Sequence, residues 1–275
     1  MPNGAILYEG PSMLDGRPIV VICTFRTKNR KTGDLVGTWI LCADVDPITA
    51  VKTGRDSTIC GGCPLMGYMA RAMARVLKGN PNRKARRAQR KGRGCYVNVG
   101  QAPKMIYEAY RRGSYPVAND LLLRLGIKGR GLRLGSYGDP VAAPPEVWER
   151  FLAAGKAYGN GKHVGYTHQF MLPAAAPFRT ILMASVQNEA GARAAVAAGW
   201  RYFRVKRSTD PNLPGEATCP ASDEAGHRRD CDHCNACDGA GAGRPRQVSI
   251  VIIGHASKPV LHNVHKVLDA QAMVA

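Results

Sequence analysis

The chain has 275 residues, 45% of them hydrophobic, and its 39 Lys and Arg against 20 Asp and Glu give a formal charge of +19. That length and apolar content exclude a largely disordered chain and allow a sizeable core. The charge exceeds what solubility requires and calls for an anionic partner, nucleic acid ahead of a membrane surface.

Nine cysteines would suit a secreted disulfide scaffold only in a short chain with a signal peptide. The opening MPNGAILYEGPSMLDGRPIVVICTF shows no basic segment followed by an apolar run and a cleavage site, and no stretch approaches a membrane span. The expectation is a cytoplasmic protein of a bacterial or phage-infected host cell, where clustered cysteines bind metal more often than they form disulfides.

In chain order, residues 18–26 (PIVVICTFR) and 37–44 (GTWILCAD) are short apolar runs separated by the basic turn KNRKTGD, and they predict a hairpin. Cys23 and Cys42 lie inside those runs and read as core. Cys60 and Cys63 then form a C-x-x-C pair on a Gly-rich turn, a spacing that lets two thiolates converge on one metal or one edge of an iron–sulfur cube. Cys95 is a third candidate ligand. Leu65, Met69, Met73, Val76 and Leu77 recur at helical spacing up to Gly79-Asn80-Pro81. Residues 71–93 carry ten Lys or Arg and no acid. Within them Arg83, Lys84, Arg86, Arg87, Arg90, Lys91 and Arg93 are the candidate phosphate contacts, the alternative being a solvated charged loop.

From Pro103 the pattern is regular. Helices are expected at PKMIYEAYRRGSY and VANDLLLRLGIKG, a strand at 131–140, a helix at PPEVWERFLAAGKAYG and strands at KHVGYTHQF and TILMASVQN. A helix at EAGARAAVAAGW and a strand at RYFRVKR follow. This β-α-β rhythm predicts an α/β fold with parallel strands, and functional groups at their carboxyl ends. Polar residues stand there: Ser136, Tyr137 and Asp139; Tyr166, Thr167, His168 and Gln169; Ser185, Gln187 and Asn188; Lys206 and Arg207.

The tail holds Cys219, Cys231, Cys234 and Cys237 within nineteen residues. Four thiolates in a segment too polar to bury a core are most simply read as one metal site, either zinc or a four-iron four-sulfur cluster, to which the two-residue spacing and Cys219-Pro220 lean. A last strand and helix follow, with His255 at the strand end and His262 and His265 on the surface. The organisation is therefore a hairpin region over 1–56, the cysteine pair, basic insertion and βα core over 57–210, the cysteine-rich loop over 211–245 and a closing strand and helix over 246–275. No G-x-x-x-x-G-K-[ST] loop and no G-x-S-x-G elbow occurs, which argues against a P-loop site and a serine hydrolase.

The segment from Cys95 to Arg207 resembles the first half of a radical S-adenosylmethionine (SAM) enzyme barrel. In that family three cysteines hold a four-iron four-sulfur cluster with one open iron, in a compact C-x-x-x-C-x-x-C loop; here Cys60, Cys63 and Cys95 span 36 residues. The strand ending Gly138-Asp139-Pro140 is similar to the family's Gly-Gly-Glu-like motif for the methionine amino group, Tyr166-Thr167-His168 to its Thr-Asn-Gly, and Ala184-Ser185-Val186-Gln187 to its Ser-containing turn. The order of a CY segment, a GD turn, a YT strand and a cysteine tail is also similar to uncharacterised phage proteins.

The resemblance implies a partial or complete (β/α) barrel binding one or two four-iron four-sulfur clusters with SAM. Ser136, Gly138, Asp139, Thr167, Ser185 and Gln187 would contact the cofactor, and Asp139 and His168 would be catalytic. The expected activity is modification of nucleic acid, DNA ahead of RNA. Two other readings stand beside it: a non-catalytic, metal-stapled nucleic-acid-binding protein, and a zinc-containing base-exchange enzyme of the tRNA-guanine transglycosylase type with Asp139 as nucleophile or base.

Overall fold

The computed structural model describes residues 1–26, 31–66, 94–241, 248–254, 262, 264 and 265. Nine strands form one sheet in the order β1-β2-β3-β4-β5-β6-β7-β9-β8. They are β1 (Gly4–Pro11), β2 (Pro18–Thr24), β3 (Val36–Cys42), β4 (Leu132–Tyr137), β5 (His163–Thr167), β6 (Met183–Val186), β7 (Tyr202–Lys206), β8 (Glu216–Thr218) and β9 (Ser249–Ile253). The expected hairpin is β2–β3, antiparallel with Val20 opposite Leu41. β1, which its mixed sequence did not announce, extends it. From β3 onward every pairing is parallel, so β2 runs against the other eight strands. Among the described residues no ladder joins β8 back to β1; the sheet is open.

Seven α-helical segments are described: α1 (Pro47–Thr53), α2 (Ser57–Cys60), α3 (Ala102–Arg111), α4 (Asp120–Ile127), α5 (Pro145–Tyr158), α6 (Glu189–Ala197) and α7 (Cys231–Cys234). Their starts are set by local chemistry. Asp46 caps α1 through Ile48 and Thr49 N–H, Asn119 caps α4, and α5 opens with Pro145 in its first turn. Asn188, grouped with the polar strand ends above, is the cap of α6, accepting from Gly191 N–H at 2.7 Å.

Burial falls into two clusters. One joins the hairpin, the helices and one face of the parallel strands, with Leu132, Leu134, Ala184, Val186 and Tyr202 from the sheet meeting Trp148 and Phe151 of α5. Cys23 and Cys42 are buried in it, as their surroundings in sequence require. The other cluster gathers alternate residues of the same strands, Val164, Met183, Ile250 and Ile252, against Cys219, Ala221 and Cys237. Period-2 alternation thus gives each strand two apolar faces, and the tail segment covers the second.

The tail is fixed by main-chain bonds to the sheet and by one arginine. Cys219 N–H donates to Val251 C=O at 2.8 Å, Gly165 N–H to Cys237 C=O at 3.1 Å and Cys231 N–H to Lys31 C=O at 3.1 Å. Arg201, 6% exposed, spreads its guanidinium over Asp238 Oδ1 and the carbonyls of Gly239, Ala236 and Val248, at 2.7–2.9 Å. Nearby, Arg204 grips Glu216 of β8 with two bonds of 2.6 and 2.7 Å, both side chains being almost fully buried.

Candidate functional site

The Cys60–Cys63 turn sits on the carboxyl ends of β4 and β5. One helical turn, α2, carries Cys60 and breaks at Gly61, whose φ of +53° favours glycine. Cys63 N–H returns to Cys60 C=O at 3.1 Å. Gln169, just past β5, bolts this turn to the sheet: its Oε1 accepts from Gly62 N–H at 3.1 Å, and its Nε2 donates to Cys60 C=O at 2.9 Å and to Asp139 Oδ2 at 3.3 Å. Asp139 N–H donates to Ile59 C=O at 2.6 Å. Cys95 reaches the same place through its N–H to Leu65 C=O at 2.9 Å. The three cysteines of the first candidate set therefore lie near one another, although 31 residues separate Cys63 and Cys95 in sequence.

Burial, and after it the neighbouring Cys63, Asp56, Cys95 and Asp139, pushes the Cys60 thiol well above its ordinary value. Cys63 is pushed up by burial and then by Cys95. Left to themselves these thiols stay protonated; an enclosed cation is what would make them thiolates. Buried thiols whose ionisation is opposed by burial and by neighbouring thiols, as at Cys60 and Cys63, lack the character of an activated cysteine nucleophile.

Asp139 is 6% exposed and its carboxylate is surrounded by donors. Oδ1 accepts from Val141 N–H at 3.1 Å, Oδ2 from His168 N–H at 2.8 Å and from Gln169, and the Thr167 hydroxyl is a further partner. Burial raises its pKa to about 6 against the lowering effect of these donors. The carboxylate is thus the tie between two strand ends and the cysteine turn. Asp139 also lines the adjoining cavity, and the resemblance implied a catalytic or cofactor-contacting role for it.

A cavity of about 410 Å³ opens beside this turn. Of the sequence candidates, Cys60, Cys63, Cys95, Ser136, Gly138, Asp139, His168, Ser185 and Gln187 line it. Thr167 does not; it is buried, with its Oγ1 accepting from Gln169 N–H at 2.8 Å. His168 has its pKa lowered to about 4 by burial, so its ring is neutral at neutral pH, with Nδ1 3.4 Å from Gln187 Nε2. Lys206 is spent on the following turn, its Nζ donating to Asp210 C=O, whereas Arg207 gives its N–H to Asp210 Oδ2 and its guanidinium to His265 C=O at 3.3 Å.

The cavity continues along the sheet face that the tail covers. There Arg133, Val164, Tyr166, Phe203, Lys31, Cys219 and Cys231 line it. Tyr166 and Phe203 pack ring against ring, centroids 4.9 Å apart. Burial pushes Cys231 up to about 11, with Arg133 opposing it, and burial raises Cys219 as well. Cys237 is raised by burial too and shares a hydrogen bond with the Tyr166 hydroxyl. Among the described residues no group of three or more His, Cys, Asp or Glu is arranged around a metal position as the side chains stand; what the structure provides is proximity.

The seven basic residues Arg83, Lys84, Arg86, Arg87, Arg90, Lys91 and Arg93 lie outside the described residues, as do most of the helix expected after Cys63 and His255. Sequence reading noted Gln169 only as one more polar strand end. It also passed over Lys31, Arg133 and Phe203 as cavity residues. The strand alternation carried a signal for Phe203, which shares a face with Val205. For Lys31 and Arg133 no signal existed before the tail was seen to fold over the sheet. Comparison with models of known protein families, with curated proteins and with solved structures found no match for this chain.

Proposed function

We propose that this chain is a radical-SAM-like iron–sulfur enzyme that modifies nucleic acid, DNA ahead of RNA, in the cytoplasm of a bacterial or phage-infected cell. The observation that supports it is the proximity of Cys60, Cys63 and Cys95 near the carboxyl ends of parallel strands, where they line one cavity with Gly138 and Asp139. Three thiols offer a four-iron cluster three ligands and leave one iron open. When bound, such a cluster with SAM supplies one-electron reductive chemistry. The open sheet is then a partial barrel whose concave face holds the cavity.

The chain's own residues do the rest. Gln169 and Asp139 hold the cysteine turn in register with the strand ends. Ser185, Gln187 and neutral His168 offer hydrogen bonds to polar groups in the cavity, and the apolar walls around Val164 and Phe203 keep water out. The net charge of +19 supplies attraction to a polyanion, with the run from Arg83 to Arg93 as the proposed grip. Among the described residues no helix is long and apolar enough to cross a membrane.

Anaerobic purification is expected to give a brown protein containing iron and sulfide, and its reduced form is expected to cleave SAM to methionine and 5′-deoxyadenosine. A colourless protein holding only zinc would overturn the enzyme reading. It would leave the metal-stapled nucleic-acid-binding protein, a reading favoured by one observation, that Cys219 and Cys237 are built into an apolar cluster.

A further inference from the structure

The two cysteine sets open on one chamber. Cys219 and Cys231 line the same cavity as Cys60, Cys63 and Cys95, Cys219 from just past the end of β8 and Cys231 from beside the Lys31 carbonyl. Three of the four tail cysteines, Cys219, Cys231 and Cys237, also belong to one cluster, and Cys234 ends the single helical turn that Cys231 begins. A metal that merely stapled a surface loop would need no such placement. Here the set is packed against Val164 and Ile252 of the sheet.

Two cations from distant parts of the sequence stand beside it. Lys31, in the β2–β3 connection, interacts electrostatically with Cys219 and Cys231 and offers its carbonyl to Cys231 N–H. Arg133, at the start of β4, acts on Cys231 and also donates to the Tyr96 hydroxyl at 3.2 Å, next in sequence to Cys95. Both line the cavity. Cations in this position offset the negative charge of a thiolate-bound centre and tune its affinity as outer-shell partners.

We infer that Cys219, Cys231, Cys234 and Cys237 bind a thiolate-ligated metal centre that forms a wall of the reaction cavity, with Lys31 and Arg133 as its outer cations. A molecule in the cavity then lies between two metal centres, and the tail is part of the site as well as of the fold. The inference rests on the reading above for the first set alone. Iron–sulfur cluster and zinc share this ligand chemistry.

The test starts from the full chain carrying C60S, C63S and C95S, made anaerobically, which leaves the tail set as the cysteine site. It is expected to retain one centre: iron with sulfide identifies a cluster, zinc alone a single ion. In that background Lys31→Met and Arg133→Met are each expected to weaken retention against EDTA about tenfold or more, whereas Arg193→Met, on the exposed face of α6, leaves it unchanged. A folded triple variant without metal, or Lys31 and Arg133 substitutions as silent as Arg193→Met, overturns the inference. If the triple variant does not fold, the same three substitutions are compared in the unaltered chain, with C219S/C231S defining the tail metal. A tail centre without SAM cleavage sinks the enzyme reading and leaves this one standing; SAM cleavage with metal-free tail thiols does the reverse.

Discussion

Gln169 is the residue on which the cysteine turn depends, because one amide serves a backbone donor, a backbone acceptor and a carboxylate. Gln169→Leu keeps the volume but strands Gly62 N–H and Cys60 C=O. The expected cost is about 1–2 kcal/mol, from two part-buried hydrogen bonds worth roughly 0.5–1.5 kcal/mol each. Chemical denaturation measures it, and on the proposed function the variant also loses the iron of the first set. His168 carries the clearest pH signature. Its pKa is about 4 in the fold against 6.5 ordinarily, so between these values the unfolded chain binds the extra proton and stability falls as pH falls. Asp139, raised to about 6, acts in the opposite sense, contributing stability at low pH that is lost as pH rises through 6. His168→Gln is therefore expected to gain on wild type as pH falls from 6.5 to 4, by up to about 3 kcal/mol at ~1.4 kcal/mol per unit of pKa shift. Denaturation midpoints of the two proteins across that window check it, and a constant difference would remove His168 from the acid response.

At the scale of elements, the parallel strands and their covering helices were legible because each carries its own period and punctuation. Strands β4 to β7 and helices α5 and α6 fall where runs such as TILMASVQN and EAGARAAVAAGW put them. β1 was missed because its alternation is broken by Glu9 and Gly10, and β8 because three residues carry no period at all. The site was legible as a list of cysteines and polar strand ends. What could not be read was which cysteines share a space, since that depends on the tail lying across the sheet. Arg201 is the main side-chain clamp on that placement. Arg201→Met would remove the guanidinium's bonds to three carbonyls and to the Asp238 carboxylate, costing about 3 kcal/mol, as expected when a buried charged network loses one partner. Limited proteolysis within residues 219–241 should accelerate in the variant; unchanged cleavage would show that the main-chain bonds of Cys219 and Cys237 suffice.

For the molecule as a whole, the sheet order holds a constraint on how the chain becomes a protein. Strand β9 comes after β8 in sequence but lies between β7 and β8 in space, with Val205 opposite Ile252 on one side and Thr218 opposite Val251 on the other. Neither neighbour pairs with the other, so β8 and the first tail cysteine have no seat until residues 249–253 have been synthesised and slotted in. A chain ending at residue 248 is expected to leave Cys219, Cys231, Cys234 and Cys237 open to thiol-alkylating reagents, while β2 and β3 still pair. Equal protection in the shortened chain would mean that the tail seats itself without β9. During translation, then, the first cysteine set emerges long before the strand that completes the second, and one end of the chamber would be ready for metal while the other is still open. The interval between them is a time order written into strand placement, and it makes the last-made strand the lock that closes the molecule.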